Sequence, residues 1–171
     1  MATILAGDIG GTNTRLALFD REAMGSPQAL CTYPSGDYES LWAIVSKYLE
    51  QITAEGHERP LRSGFGIAGP VDGSIVKLTN LPWVIDREQL QQRMQIPVVR
   101  FVNDFSANCL AVPYLTPADL HKIGGGAIEP RGPIAVVGAG TGLGEGLVVW
   151  QGERPVVIPS EGGHKDFAPR N

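Results

Sequence analysis

The feature that most constrains this chain is one pattern used twice. Leu5 to Phe19 read as an apolar strand, a glycine turn at Gly10-Gly11-Thr12-Asn13, and a second strand of alternating character. Ala135 to Trp150 repeat the scheme around Gly138-Ala139-Gly140-Thr141-Gly142-Leu143-Gly144. Aligned without gaps, Gly7 meets Gly138, Gly11 meets Gly142 and Leu16 meets Leu147. Two such hairpins far apart in one chain imply duplicated halves that grip one ligand from opposite sides. Glycines at 10 and 11 are expected to take positive φ and to bring bare N–H groups against a ligand, with Thr12, Asn13 and Thr14 adding side-chain donors. Such a cradle suits an anion. Asp8 would then sit beside phosphates, which implies an intervening divalent cation, Mg²⁺, held through water or phosphate. An ordinary glycine hairpin with Asp8 as a turn residue is the competing account of the first copy. Coincidence in a glycine-rich chain competes for the pair.

A length of 171 residues allows one domain, or one domain plus part of another. Hydrophobic residues at 43% and charged ones at 19% place the chain among soluble globular proteins. The net charge of −4 comes without any basic run, so a nucleic-acid partner is not expected. Cys31 and Cys109 have no metal-like spacing and read as reduced, buried thiols of a cytoplasmic protein. With no targeting segment and no apolar run of spanning length, no membrane association is expected.

Along the chain, Gln28 to Pro34 reads as a third strand completing a meander, and Ser35-Gly36-Asp37 as a turn. From Tyr38 to Ala54, Leu41, Ile44, Val45, Tyr48, Leu49 and Ile52 recur at helical spacing, the apolar stripe of a helix packed on a sheet. Strands are expected at Arg62 to Ala68 and Ser74 to Leu78, and Thr79-Asn80-Leu81-Pro82-Trp83 breaks the pattern. Asp86 is placed to cap a helix reaching Met94. Val98 to Val102 reads as a buried strand ending on Asn103-Asp104, followed at once by a helix that Pro113 closes. Polar residues at the carboxyl end of such a strand occupy the ligand position of open α/β sheets. A short helix is expected at Thr116 to Ile123. The glycine-rich stretch from Gly124 to Pro133 places a domain junction there, dividing the chain into 1–126 and 127–171.

No P-loop sequence is present, and the glycines of 138–146 fail the dinucleotide spacing because Leu143 stands where the third glycine belongs. Four segments together resemble the N-terminal part of bacterial-type glucokinases, in the superfamily of sugar kinases, actin and heat-shock chaperone ATPases. Gly7-Asp8-Ile9-Gly10-Gly11-Thr12-Asn13 resembles the first phosphate loop and Gly138 to Gly144 the second. Phe101-Val102-Asn103-Asp104-Phe105 resembles the sugar-binding and catalytic-base segment, and Glu161 to Pro169 the glucose-gripping loop.

The resemblance implies a mixed-sheet α/β, ribonuclease-H-like (actin-like ATPase) first domain flanked by helices, plus a truncated second domain of the same type. It makes Asp104 the general base toward the 6-hydroxyl of glucose, although an N-cap role competes for that residue. It gives Asn80, Asn103, Gly142, Glu161 and His164 to the sugar. It gives Gly7, Asp8, Ile9, Gly10, Gly11, Thr12, Asn13, Gly140 and Thr141 to ATP, with Mg²⁺ at Asp8. A related branch carries a zinc-binding cysteine cluster that this sequence lacks, so no metal other than Mg²⁺ is expected. Family members continue past Asn171 with a further acidic sugar ligand and most of the adenine pocket. The chain is therefore expected to expose strand edges and apolar faces. Its partner is either a second copy or the remaining C-terminal part. Two functions stand side by side, an ATP-dependent glucose phosphotransferase and a non-catalytic sugar- or phosphate-binding fragment.

Overall fold

The computed structural model describes residues 3–21, 26–78, 80–127, 129–140, 142–160 and 162–164. By packing, the chain divides into two compact units, Met1–Asp104 and Phe105–Asn171.

The first unit runs β1 (Thr3–Ile9), β2 (Asn13–Asp20), β3 (Gln28–Pro34), α1 (Leu41–Ala54), β4 (Arg62–Ile67), β5 (Ile75–Lys77), β6 (Val84–Asp86), α2 (Arg87–Met94) and β7 (Val98–Asn103). The expected meander forms, and β4 and β7 extend it parallel to β1 in the order β3-β2-β1-β4-β7. Cross-strand register puts Leu5, Gly7, Ile9, Leu16, Leu18, Phe65, Ile67 and Val99 on one face. All but Gly7 are buried, in one core with the apolar stripe of α1. Each such side chain contributes about 1.5–3 kcal/mol before entropy is counted. The opposite face carries Asp8, Arg15, Arg62 and Arg100, all exposed.

Local chemistry sets the helix ends. α1 begins at Leu41 rather than Tyr38 because the Ser40 hydroxyl accepts the Ala43 N–H at 3.3 Å. Asp86 caps α2 as expected, its Oδ1 accepting the N–H groups of Glu88 at 2.9 Å and Gln89 at 3.1 Å. Strand β6 has no signal in the sequence, being three residues long and preceded by Pro82-Trp83. It pairs with β5 as a two-stranded ribbon, anchored where buried Trp83 donates its indole Nε1–H to the Tyr38 carbonyl at 3.1 Å.

The second unit contains most of α3 (Asp104–Ala111), then β8 (Ile134–Ala139), β9 (Leu143–Gln151) and β10 (Arg154–Ser160) in an antiparallel sheet of order β10-β9-β8. The glycine-rich stretch expected to mark the junction falls inside this unit, because α3 packs on the second sheet. A β-carbon built on Gly138 or Gly144 would stand 2.6 Å from the Phe105 ring, and one on Gly146 would stand 2.7 Å from Cys109 Sγ. These strand glycines form the seat of the helix. The helix expected at Thr116 to Ile123 contracts to a 3₁₀ turn at Pro117–Asp119. Thr116 donates both its N–H and its hydroxyl to Asp119 Oδ2, at 2.9 and 2.7 Å, closing a single turn. Beyond it Leu120 and Ile123 are exposed, so no core rewards further turns. Among the described residues no helix is long and apolar enough to cross a membrane.

Candidate functional site

The parallel strands bring several predicted residues to one edge. Ile9, Ile67 and Asn103 are in register at the carboxyl ends of β1, β4 and β7. Neighbouring strands lie about 4.8 Å apart, so the first glycine turn and the Asn103-Asp104 pair leave the sheet roughly 10 Å from each other. Open α/β sheets hold their ligands at this edge. Asn103 ties the edge together. Its Nδ2 donates to the Gly69 carbonyl at 3.1 Å and to Asp104 Oδ1 at 2.9 Å. Gly69, at φ +138°, adopts a backbone conformation that favours glycine, and the Ala68 N–H before it donates to the Ile9 carbonyl at 3.0 Å. Asp104 is half-buried and opens α3.

The first turn keeps its expected position but not its expected backbone. Neither Gly10 nor Gly11 has positive φ. Close approach explains the glycines instead. A β-carbon on Gly10 would stand 3.0 Å from the Asn13 carbonyl oxygen, and one on Gly11 would stand 2.9 Å from Asn80 Cβ. The ribbon therefore places Asn80, itself exposed, directly against the turn. Gly7 is a packing position, since a β-carbon there would stand 2.5 Å from the Phe65 ring. Ile9 is fully buried, so only its backbone is available for any role in the turn.

Three of the four carbonyls of the turn accept hydrogen bonds from the protein. Gly10 N–H donates to the Asn13 carbonyl at 3.0 Å, Ser35 N–H to the Thr12 carbonyl at 2.9 Å, and Ser35 Oγ to the Gly10 carbonyl at 2.8 Å. In the sequence Ser35 reads only as a turn residue. Its one available signal is its place between Pro34 and Gly36, which says nothing about a contact 25 positions back in the chain.

Asp8 lies opposite Arg15, with its Oδ2 3.2 Å from Nη1. Both side chains are more than half exposed, so the pair adds little stability and exchanges readily for another partner. Among the described residues no group of three or more His, Cys, Asp or Glu could hold a metal by itself. One accessible carboxylate beside an anion-type turn suits Mg²⁺, which keeps several waters and binds through one or two carboxylates plus phosphate oxygens.

The second unit holds the other candidates. Gly140 N–H donates to the Gly142 carbonyl at 2.9 Å, and a β-carbon on Gly142 would meet nothing within 4 Å. A 3₁₀ turn at Gly162–His164 follows β10, with Gly162 against Glu145 and Gly163 against the Leu143 carbonyl. The turn thereby lies against β9 at Leu143 and Glu145. Thr141, Glu161 and the His164 side chain lie outside the described residues.

A glucokinase family model matches residues 5–171. Glucokinase from Nostoc sp. (strain PCC 7120) is 43% identical over 173 residues, spanning 100% of this chain and 50% of that protein. The crystal structure of glucokinase from an Antarctic psychrotroph matches with a TM-score of 0.86 at 34% identity, covering 100% of this chain and 53% of that one. Glucokinase from Balamuthia mandrillaris, solved in complex with glucose, shares the fold at a TM-score of 0.75 and 22% identity, over 99% of this chain and 50% of that one. The fold is thus the mixed-sheet, actin-like ATPase arrangement of sugar kinases. The chain spans about half the length of the curated relatives it matches. It belongs to the glucokinase family and corresponds to the N-terminal half of its members.

Proposed function

We propose that the protein to which this chain contributes transfers the γ-phosphoryl group of ATP to the 6-hydroxyl of glucose, giving glucose 6-phosphate and ADP, at the entry to glycolysis in the cytoplasm. The observation that carries the reading is the Asn103 to Asp104 hydrogen bond at the carboxyl end of β7, in register with the strand that enters the glycine turn. Asp104 takes the proton of the 6-hydroxyl as that oxygen attacks the γ-phosphorus, and the bond to the β–γ bridging oxygen breaks. A carboxylate is a weak base, so its contribution, of order 10²–10⁴-fold, rests on where it is held. Asn103 holds it. Its Nδ2 is committed to both the Gly69 carbonyl and the Asp104 carboxylate, which fixes the amide beside the base.

Asn80, Gly142, Glu161 and His164 complete the sugar contacts in this reading. A site built from directional partners rejects an analogue lacking one hydroxyl, because a buried polar group is then left unpaired. The backbone of Gly7 to Asn13 and of Gly140-Thr141 receives the nucleotide phosphates. When bound, Mg²⁺ offsets phosphate charge, and Asp8 would hold it through water or phosphate.

A non-catalytic sugar- or phosphate-binding module is the second reading. It is favoured by the apolar side chains that the second sheet leaves exposed, Val137 at 66%, Ile158 at 48% and Leu143 at 43%. Calorimetric titration with glucose and with MgATP, beside a coupled kinase assay on the 171-residue chain, separates the two. Glucose binding with weak turnover that vanishes in Asp104→Ala is the expected result. Binding without any turnover favours the second reading. Turnover indifferent to Asp104→Ala removes Asp104 as the base.

A further inference from the structure

Ser35 is fully buried, and its three polar contacts with the first hairpin all fall on the glycine turn or the residue after it. Its N–H donates to the Thr12 carbonyl at 2.9 Å and its Oγ–H to the Gly10 carbonyl at 2.8 Å. A hydroxyl has one proton. With that proton on Gly10, the 3.0 Å contact between Ser35 Oγ and Thr14 Oγ1 must be a bond donated by the buried Thr14. The Asn13 carbonyl is taken by the Gly10 N–H. The carbonyls of Gly10 and Thr12 are thus both held by the buried Ser35, while that of Asn13 closes the turn on Gly10. The N–H groups of Gly11 and Thr12 have no hydrogen-bond partner among the described residues. Carbonyls held by donors of the protein beside N–H groups left without one is the arrangement that an anion-binding turn requires.

We infer that Ser35 is the positioning residue of the phosphate turn, acting through the Gly10 and Thr12 carbonyls to hold the Gly11 and Thr12 N–H groups outward, with Thr14 supporting its hydroxyl. The inference rests on the proposal that this turn receives phosphate, and it adds the residue that polarises the turn. Losing the Oγ bond leaves the Gly10 carbonyl unanchored, able to rotate and cancel part of the outward field. One net hydrogen bond corresponds to roughly a 3- to 10-fold change in an equilibrium constant.

The test is a titration of the ¹⁵N-labelled 171-residue chain with inorganic pyrophosphate in Mg²⁺, following the Gly11 and Thr12 amides, with glucose titrated in parallel. In the native chain both amides are expected to shift with pyrophosphate. Ser35→Ala is expected to weaken pyrophosphate about 3- to 10-fold and to leave glucose affinity unchanged. Thr14→Val, which keeps shape and removes only the supporting donor, should weaken it less, and Thr14→Ser should restore it. Absence of amide shifts in the native chain overturns the phosphate reading, and the inference with it. Native shifts together with unchanged pyrophosphate affinity in Ser35→Ala overturn the inference alone. Should Ser35→Ala fail to fold, unchanged affinity in folded Thr14→Val overturns it in the same way. Equal losses for pyrophosphate and glucose mean general support of the fold and also overturn it.

Discussion

The two glycine hairpins share a sequence pattern and use it differently. In the first, Gly7 faces Leu16 across the strands, Gly11 makes room for Asn80, and Ser35 ties the turn from behind. In the second, Gly138 faces Gly144, and Leu147 faces Ala135. The gap-free alignment therefore preserves the order of elements but not the pairing, and Leu147 lies on the opposite face of its strand pair from Gly138. Both copies keep an aromatic ring over the first glycine, Phe65 over Gly7 and Phe105 over Gly138. The rings come from different places, a neighbouring strand in one unit and a helix in the other. Glycine spacing alone thus identifies a hairpin that something approaches closely, and only the fold says whether that something is a helix, a loop or a ligand.

The sharpest way to break this contrast is to fill the helix seat. Gly144→Ala is expected to destabilise the chain by about 1–3 kcal/mol, read as a fall in denaturation midpoint, because its β-carbon would meet the Phe105 ring. Phe105→Leu in the same chain should recover part of the loss. Gly142→Ala, on open space at the other end of the turn, should stay within about 0.5 kcal/mol. Equal costs at 144 and 142 would erase the division between packing and tip glycines.

Gly11→Ala is expected to cost about 1 kcal/mol through contact with Asn80 Cβ, and Asn80→Gly should relieve it. A double-mutant cycle with no coupling would separate the ribbon from the turn. The next contrast lies in the sheet faces, since the first sheet presents Asp8, Arg15, Arg62 and Arg100 where the second presents Val137 and Ile158. Val137→Lys with Ile158→Lys should leave stability within about 0.5 kcal/mol while reducing self-association in sedimentation.

The smallest effect is expected at alkaline pH. Burial raises the Cys109 thiol, and likewise the Tyr33 and Tyr48 phenols, above their ordinary ranges. Groups raised on folding give a contribution that is complete below the unfolded pKa and is lost as pH rises through the folded one. Stability should therefore be level up to about pH 8.5 and decline above it, first through Cys109 and above about pH 10 through the tyrosines. In Cys109→Ala the decline should begin later.

Much of this fold was legible because its signals are local. The α1 stripe, the Asp86 cap and the Val98 to Val102 run each declare one element without help from distant residues. Of the candidate site, the strand ends were legible, since Ile9 and Asn103, from which the first turn and Asp104 follow, fall in register. What escaped depends on partners remote in sequence. β6 exists because Trp83 finds the Tyr38 carbonyl, Ser35 matters because it meets residues 10, 12 and 14, and the glycines of β8 and β9 answer to a helix that precedes them. The helix expected at 116–123 is the reverse case, where helical spacing had no core to serve.

The Trp83 anchor has an optical consequence. The indole is at the root of the ribbon whose loop presses Asn80 on Gly11, and its Nε1–H is fixed to the Tyr38 carbonyl shortly before α1 begins. A ligand that displaces Asn80 is expected to alter the polarity around this buried fluorophore through the ribbon. With Trp42 and Trp150 replaced by phenylalanine, the emission maximum of Trp83 becomes an intrinsic gauge of occupancy at the turn, free of any attached dye.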